Sequence, residues 1–204
     1  MRVIGDKLSA WLQLVRLPNL LTVPGDPVAG FFLATGCGQN VSFSAIPAVV
    51  ATSMFLYMSG LISNDLFDLK GDSRERPNRP LPSGRIKPLE AVAVAVFLAA
   101  SAIGLSLLNG RISLAVAIVL LAAILFYNAG GKKIRVVGPV SMGICRGLNL
   151  MLGASVAGFQ GIGFERVLLS AFFLTVYIVS VSMIASDETT GSHIGFRRWL
   201  PALV

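Results

Sequence analysis

The stretch Asn64-Asp65-Leu66-Phe67-Asp68-Leu69-Lys70-Gly71-Asp72 closes a long apolar run with a dense group of acids and runs on into Arg76-Pro77-Asn78-Arg79-Pro80-Leu81-Pro82-Ser83-Gly84. On a helix Asn64, Asp68 and Asp72 recur at i, i+4 and i+8, so their oxygens climb one slowly turning face. Carboxylates at that spacing repel, and the C-terminal end of a helix is already electronegative, so the arrangement is unfavourable until a cation joins it. Hard oxygen ligands with no Cys or His among them point to Mg2+ or Ca2+. Mg2+ is the ion that usually completes its shell with phosphate oxygens.

The sequence around this cluster is that of an integral membrane protein. Of its 204 residues 54% are hydrophobic and 13% charged, and the mean hydropathy is +0.76, outside the range of soluble domains. Six apolar runs, 20–37, 45–62, 91–108, 112–127, 136–158 and 167–185, are mostly near the length that crosses a bilayer. The expected fold class is all-α: an integral membrane helical bundle of six transmembrane helices with a cavity facing the cytoplasm. Pro24-Gly25-Asp26-Pro27 interrupts the first run and predicts a bent helix there. Gly143, Gly147, Gly153 and Gly158, with Ala154 and Ala157, supply the small residues that let membrane helices approach closely. Residues 1–13 lack a compact apolar core followed by a cleavage site and read as an interfacial helix. Cys37 and Cys145 have no metal-site spacing and read as small packing residues.

The net charge of +7 raises nucleic acid as a partner, but the placement of the basic residues excludes that reading. With the amino terminus in the cytoplasm, that side holds fourteen of them: Arg2, Lys7, Arg16, Lys70, Arg74, Arg76, Arg79, Arg85, Lys87, Lys132, Lys133, Arg135, Arg197 and Arg198. The opposite side holds two, Arg111 and Arg166, which is the positive-inside pattern of an inner, cell-membrane protein. The same orientation brings Asn64, Lys132, Lys133 and the acids Asp187 and Glu188 to one face of the membrane.

These residues resemble the UbiA-type intramembrane prenyltransferases, whose first signature is Asn-Asp-x-x-Asp-x-x-x-Asp. Asn64, Asp65, Asp68 and Asp72 match it position by position, and the Arg-Pro-x-Arg-Pro-Leu-Pro-Ser-Gly continuation is similar to the loop that follows it in many members. The resemblance implies that Asn64, Asp68 and Asp72, with Asp65 in the same set, hold Mg2+ against the diphosphate of an isoprenoid donor, and that Asp187 or Glu188 serves a second metal position. Those acids and Asn64 form the candidate catalytic group. Arg79 is the loop residue that the match places beside the metal site. Tyr127-Asn128 before Lys132 and Lys133 is similar to the family's inner loop, in which a Tyr precedes a diphosphate-binding Lys; the spacing leaves either lysine open.

Arg146 lies inside the fifth run with Asn149 three residues on, and an ionisable group in a membrane is functional by default. Substrate contact and structural pairing with Asp26 stand as equal readings of it. The single histidine, His193, lies near the end of the sequence and is set aside as a general base.

The resemblance also marks departures. The second acid pair lacks the family's four-residue spacing, since Gly191 follows Asp187 at i+4 and Ser192 follows Glu188. The family usually has nine helices, so 1–191 is read as a prenyltransferase domain without its last helices, 192–204 as an atypical tail, and a partner chain as a means of closing the bundle. Two functions follow: prenyl transfer from an isoprenyl diphosphate to a small lipophilic or aromatic acceptor, or a non-catalytic membrane protein of the same fold that binds or moves a prenylated precursor. A proton-coupled transporter is a third, weaker option.

Overall fold

The computed structural model describes residues 2–36, 43–157 and 161–189. The tail 192–204 and the side chains of Asp187 and Glu188 lie outside the described residues. Eight α-helices are described: α1 (Arg2–Leu14), α2 (Leu17–Leu20), α3 (Gly25–Thr35), α4 (Ile46–Glu75), α5 (Pro88–Leu108), α6 (Arg111–Ala129), α7 (Val137–Ser155) and α8 (Gly161–Thr189). No strand occurs among the described residues.

Each apolar run of the sequence carries a helix, but the six are not equivalent. Four segments are long and apolar enough to cross a membrane: Phe43–Glu75, Pro88–Leu108, Arg111–Ala129 and Gly163–Ala185. The other two runs became α3 and α7. The first is cut into α2 and α3 around Pro24, as the prolines predict, which leaves α3 only 11 residues long. The second carries Arg146 and Asn149 along its 19 residues. Helix α7 packs against α3, α4, α6 and α8, so the polar groups that α3 and α7 turn to each other meet protein instead of lipid.

Helix α3 and helix α7 are in backbone contact. A side chain on Gly153 would overlap the carbonyl of Pro27, and one on Gly30 would overlap the carbonyl of Leu150. Nearer the start of α7, Gly143 and Gly147 sit against Thr175 of α8, whose hydroxyl has Ala171 O at 2.8 Å and Gly143 O at 3.2 Å as its acceptors. Small residues replace the missing hydrophobic driving force by letting helices touch along their backbones.

Helix α4 positions the site. Its 30 residues span about 45 Å, against about 30 Å of hydrocarbon, so its last turns reach the membrane boundary without a break. The acid ladder is therefore helical throughout. Outside it, the loop 76–87 is fixed rather than free. Leu81 and Ile86 are buried with Ala10 and Leu14 of α1, Ile62 of α4, and Ala91 and Ala95 of α5. Arg85 fastens this packing by donating to Gln13 Oε1 at 3.0 Å and Asn78 O at 2.8 Å. A lysine on α1, Lys7, pairs with Glu90 at the start of α5 at 3.0 Å. The amphipathic first helix thus clamps the loop that carries Arg79.

Candidate active site

Asn64 and Asp68 face Lys132, which stands in a 3-10 turn (Gly131–Lys133) between α6 and α7. Its ammonium donates to Asn64 Oδ1 at 2.7 Å and to Asp68 Oδ2 at 2.6 Å. Asn64 completes the pairing by donating from Nδ2 to Asp68 Oδ2 at 3.4 Å. Lys133, the other candidate, lines the cavity without taking this place.

Asp65 and Asp72 form a second pair. Seven residues apart on a helix, they differ by only about 20° in direction, and both are buried, with 7% and 8% of their surface exposed. Arg79 reaches in from the loop, its Nη1 2.6 Å from Asp72 Oδ2 and 3.7 Å from Asp65 Oδ1. Arg16, between α1 and α2, approaches Asp65 Oδ1 at 3.4 Å. The ladder that reads as one row in the sequence is thus split by three cations into two subsites. Each carboxylate has a cationic neighbour, which removes the repulsion expected at i, i+4. No group of three or more His, Cys, Asp or Glu side chains closes on one point among the described residues.

The paired groups surround the mouth of a cavity of about 1190 Å³, lined chiefly from α4, α6 and α7. That exceeds the usual small-ligand pocket of roughly 300–1,000 Å³. Asn64, Asp68, Asp72, Arg79, Lys132 and Lys133 lie on its wall; Asp65 does not. Deeper in, Leu56, Leu61, Leu120, Ile124 and Ile178 give it an apolar lining. Asn128, next to the cavity residue Tyr127, donates to Gly60 O at 2.8 Å and ties α6 to α4 beneath the acid cluster.

Arg146 and Asn149 also line the cavity, but their polar atoms turn to Asp26. Arg146 Nη2 donates to Asp26 Oδ1 at 2.9 Å, and Asn149 Nδ2 to Asp26 Oδ2 at 3.1 Å. Ser53 donates to Asn149 Oδ1 at 2.6 Å. This network joins α3, α4 and α7 at the level of Ser53, 11 residues or about 16 Å along α4 from Asn64. The geometry gives Arg146 its structural partner, while its Nε is buried with no hydrogen-bond partner among the described residues.

The backbone of Asp187 and Glu188 lies in the last turns of α8. Of the cavity residues not singled out from sequence as parts of the site, Ser53 and Arg16 make polar contacts there. Ser53 gives no signal, being one hydroxyl in an apolar run. Arg16 does give one, as a cation directly before Leu17-Pro18, where a helix must restart.

Fold and site together define a class: a multi-pass helical membrane protein whose intramembrane cavity is apolar within and ringed by paired acids and bases at its mouth. The family model of the UbiA prenyltransferase family matches residues 27–193, and the chain belongs to that family of membrane-embedded enzymes. Among curated relatives, a digeranylgeranylglyceryl phosphate synthase from Sulfurisphaera tokodaii is 29% identical over 90% of this chain and 67% of its own length. One from Methanoculleus marisnigri is 26% identical over 97% of this chain and 69% of its own length. A solved structure from work on digeranylgeranylglyceryl phosphate synthase in membranes superposes with a TM-score of 0.79 at 25% identity, covering 91% of this chain and 64% of that one. The ligand-free structure of a UbiA homologue from Aeropyrum pernix K1 shares the fold, with a TM-score of 0.70 at 22% identity over 87% of this chain and 66% of that one. The chain therefore spans about two thirds of the length of the proteins it matches.

Proposed function

We propose that this chain transfers a prenyl group from an isoprenyl diphosphate to an acceptor held in the same cavity, with Mg2+ as its cofactor. One observation carries the reading: Asn64 Oδ1 and Asp68 Oδ2 already converge on a single cationic point, the Lys132 ammonium, at the mouth of an apolar chamber. That donor set, with Asp72 beyond it, is hard oxygen throughout and fits Mg2+. Asn64, Asp68 and Asp72 would hold the ion, and Asp187 or Glu188 would serve the second position. When bound, Mg2+ neutralises charge that grows on the departing diphosphate.

The chain's own residues supply the rest. Lys132 and Arg79, each beside a carboxylate, are placed to take up phosphate oxygens as the allylic C–O bond breaks and its electrons leave with the diphosphate. The apolar lining from Leu56 to Ile178 houses the isoprenoid tail and keeps water from the electron-poor carbon. An acceptor oxygen then bonds to that carbon and loses its proton to the released diphosphate. The names of the relatives support an acceptor of the prenylated glyceryl phosphate type. The positive-inside count supports a cytoplasmic amino terminus in the cell membrane.

A non-catalytic binder of prenylated precursors is the second reading, favoured by the cation beside every described carboxylate of the first cluster. Membranes containing the chain, given labelled geranylgeranyl diphosphate and geranylgeranylglyceryl phosphate with and without Mg2+, separate the two. A labelled product that needs Mg2+ is the expected result. Bound but untransferred label would establish the binder.

A further inference from the structure

Arg16 has a backbone that its residue type does not favour. It is the only non-glycine with positive φ among the described residues, at φ 48° and ψ 58°, in the left-handed region. L side chains enter that region at a cost, and Gly or Asn is the usual occupant where only the turn matters. The turn itself is well held: Arg16 O accepts from Asn19 N at 2.8 Å and from Leu20 N at 3.3 Å. An arginine at this point therefore answers to something its side chain does.

The side chain lines the cavity mouth and retains 41% exposure. Its contact with Asp65 is one-pronged and long, a single Nη2 to Oδ1 distance of 3.4 Å. A guanidinium has five N–H donors in a fixed fork, so most of this one is left to face the cavity. Asp65 has the opposite character. Buried and off the cavity wall, its Oδ1 meets Arg16, Arg79 at 3.7 Å and Asn64 Nδ2 at 3.3 Å. Two donors, Arg16 and Asn64, and the more distant charge of Arg79 gather round that one oxygen from the α1–α2 turn, α4 itself and the loop. Asp68 and Asp72 meet cations too but lie on the cavity wall, whereas Asp65 lies behind it, where its oxygen aims cations instead of ligating an ion in the cavity.

We propose that Arg16 is a third diphosphate-binding cation beside Lys132 and Arg79, and that Asp65 is the positioning residue that aims Arg16 and Arg79 across the cavity mouth without binding metal. The inference rests on the prenyltransferase reading. It assigns the turn between α1 and α2 a part in holding the donor, and it divides the acid signature into ligands on the wall (Asn64, Asp68, Asp72) and a cation holder behind it (Asp65).

The test uses the full chain in detergent with labelled geranylgeranyl diphosphate and Mn2+. Three variants are compared with the parent: Arg16→Gly, Arg16→Lys and Asp65→Asn. Arg16→Gly is expected to raise the melting temperature, because the left-handed strain is removed, and to weaken diphosphate binding about tenfold or more. Arg16→Lys should retain part of the affinity. Asp65→Asn should weaken diphosphate binding while the number of Mn2+ ions bound per chain at saturating diphosphate, counted by electron paramagnetic resonance, stays that of the parent. A lower melting temperature in Arg16→Gly with undiminished diphosphate affinity would make Arg16 a structural tie and overturn the proposal. One Mn2+ fewer in Asp65→Asn would restore Asp65 as a metal ligand and overturn the second half. A parent chain that binds no diphosphate overturns the prenyltransferase reading itself, whereas parent binding matched by Arg16→Gly overturns this inference alone.

Discussion

Lys132 donates to Asp68 with Nζ 2.6 Å from Oδ2, joining the turn after α6 to the middle rung of the acid ladder on α4. The same ammonium holds Asn64, so the two residues named first by the sequence pattern are brought to one point by a residue 64 positions from Asp68. Under the proposed reading Asp68 serves as both counter-ion and ligand, which makes it the most sensitive position in the site.

Asp68→Asn should therefore abolish Mg2+-dependent binding of an isoprenyl diphosphate while leaving the chain folded. Removing its charge leaves Asn64 and Asp72 about 12 Å apart along the helix, too far to share one ion. The change is close to isosteric and sits near a helix C-terminus, where losing negative charge is mildly favourable. Asp187→Asn should cost less, since Glu188 lies beside it. Titration of both variants against labelled diphosphate decides the matter; a larger loss in Asp187→Asn would reverse the ranking of the two clusters.

Asp26→Ala should destabilise the bundle by roughly 2–4 kcal/mol, because it leaves the Arg146 guanidinium and the Asn149 amide without their acceptor inside the membrane. The lower part of that range allows for the 28% of the Arg146 side chain that remains exposed. Asp26→Leu combined with Arg146→Met should recover most of the loss, since it removes both charges together. Thermal melts in one detergent compare the three. Full stability of Asp26→Ala would show that the network is not what joins α3 to α7.

Gly153→Ala should cost about 1–3 kcal/mol, because its methyl group would meet the Pro27 carbonyl and neither backbone has room to retreat. Gly104→Ala is the matched control: nothing lies within 4 Å of its added carbon, and alanine favours the helix by about 1 kcal/mol. The pair should shift the melting temperature in opposite directions. Equal shifts would remove close backbone approach as the reason α7 carries glycine.

Topology is tested by single cysteines placed at Ser73 and Gly110 in a background with Cys37→Ser and Cys145→Ser. The fourteen-to-two distribution of basic residues expects Ser73→Cys to be shielded from an impermeant thiol reagent in intact cells and Gly110→Cys to be labelled. The reverse pattern would turn the site to the other side of the membrane.

The sequence by itself determined the fold class, the helical segments and the first acid cluster, although among the described residues only four of the six expected spans are long and apolar enough to cross a membrane. A bilayer allows only internally bonded segments, so apolar length maps directly onto helices, and the i, i+4, i+8 spacing fixes one face of α4 whatever surrounds it. It also placed the break near Pro24 and the glycine-rich helix α7, since both depend on residue type at a given position. Tertiary structure alone decided which cation meets which acid. Lys132 rather than Lys133 reaches Asn64 and Asp68, Arg79 spans Asp65 and Asp72, and Arg146 turns to Asp26. The division of one acid row into two subsites was equally out of reach, because it depends on a loop anchored by Leu81 and Ile86 and on a left-handed turn at Arg16. Apart from those of Arg79, these pairings join residues 49 to 120 positions apart and are set by how helices rotate and stack, and a local pattern holds no information about that rotation until the helices have packed.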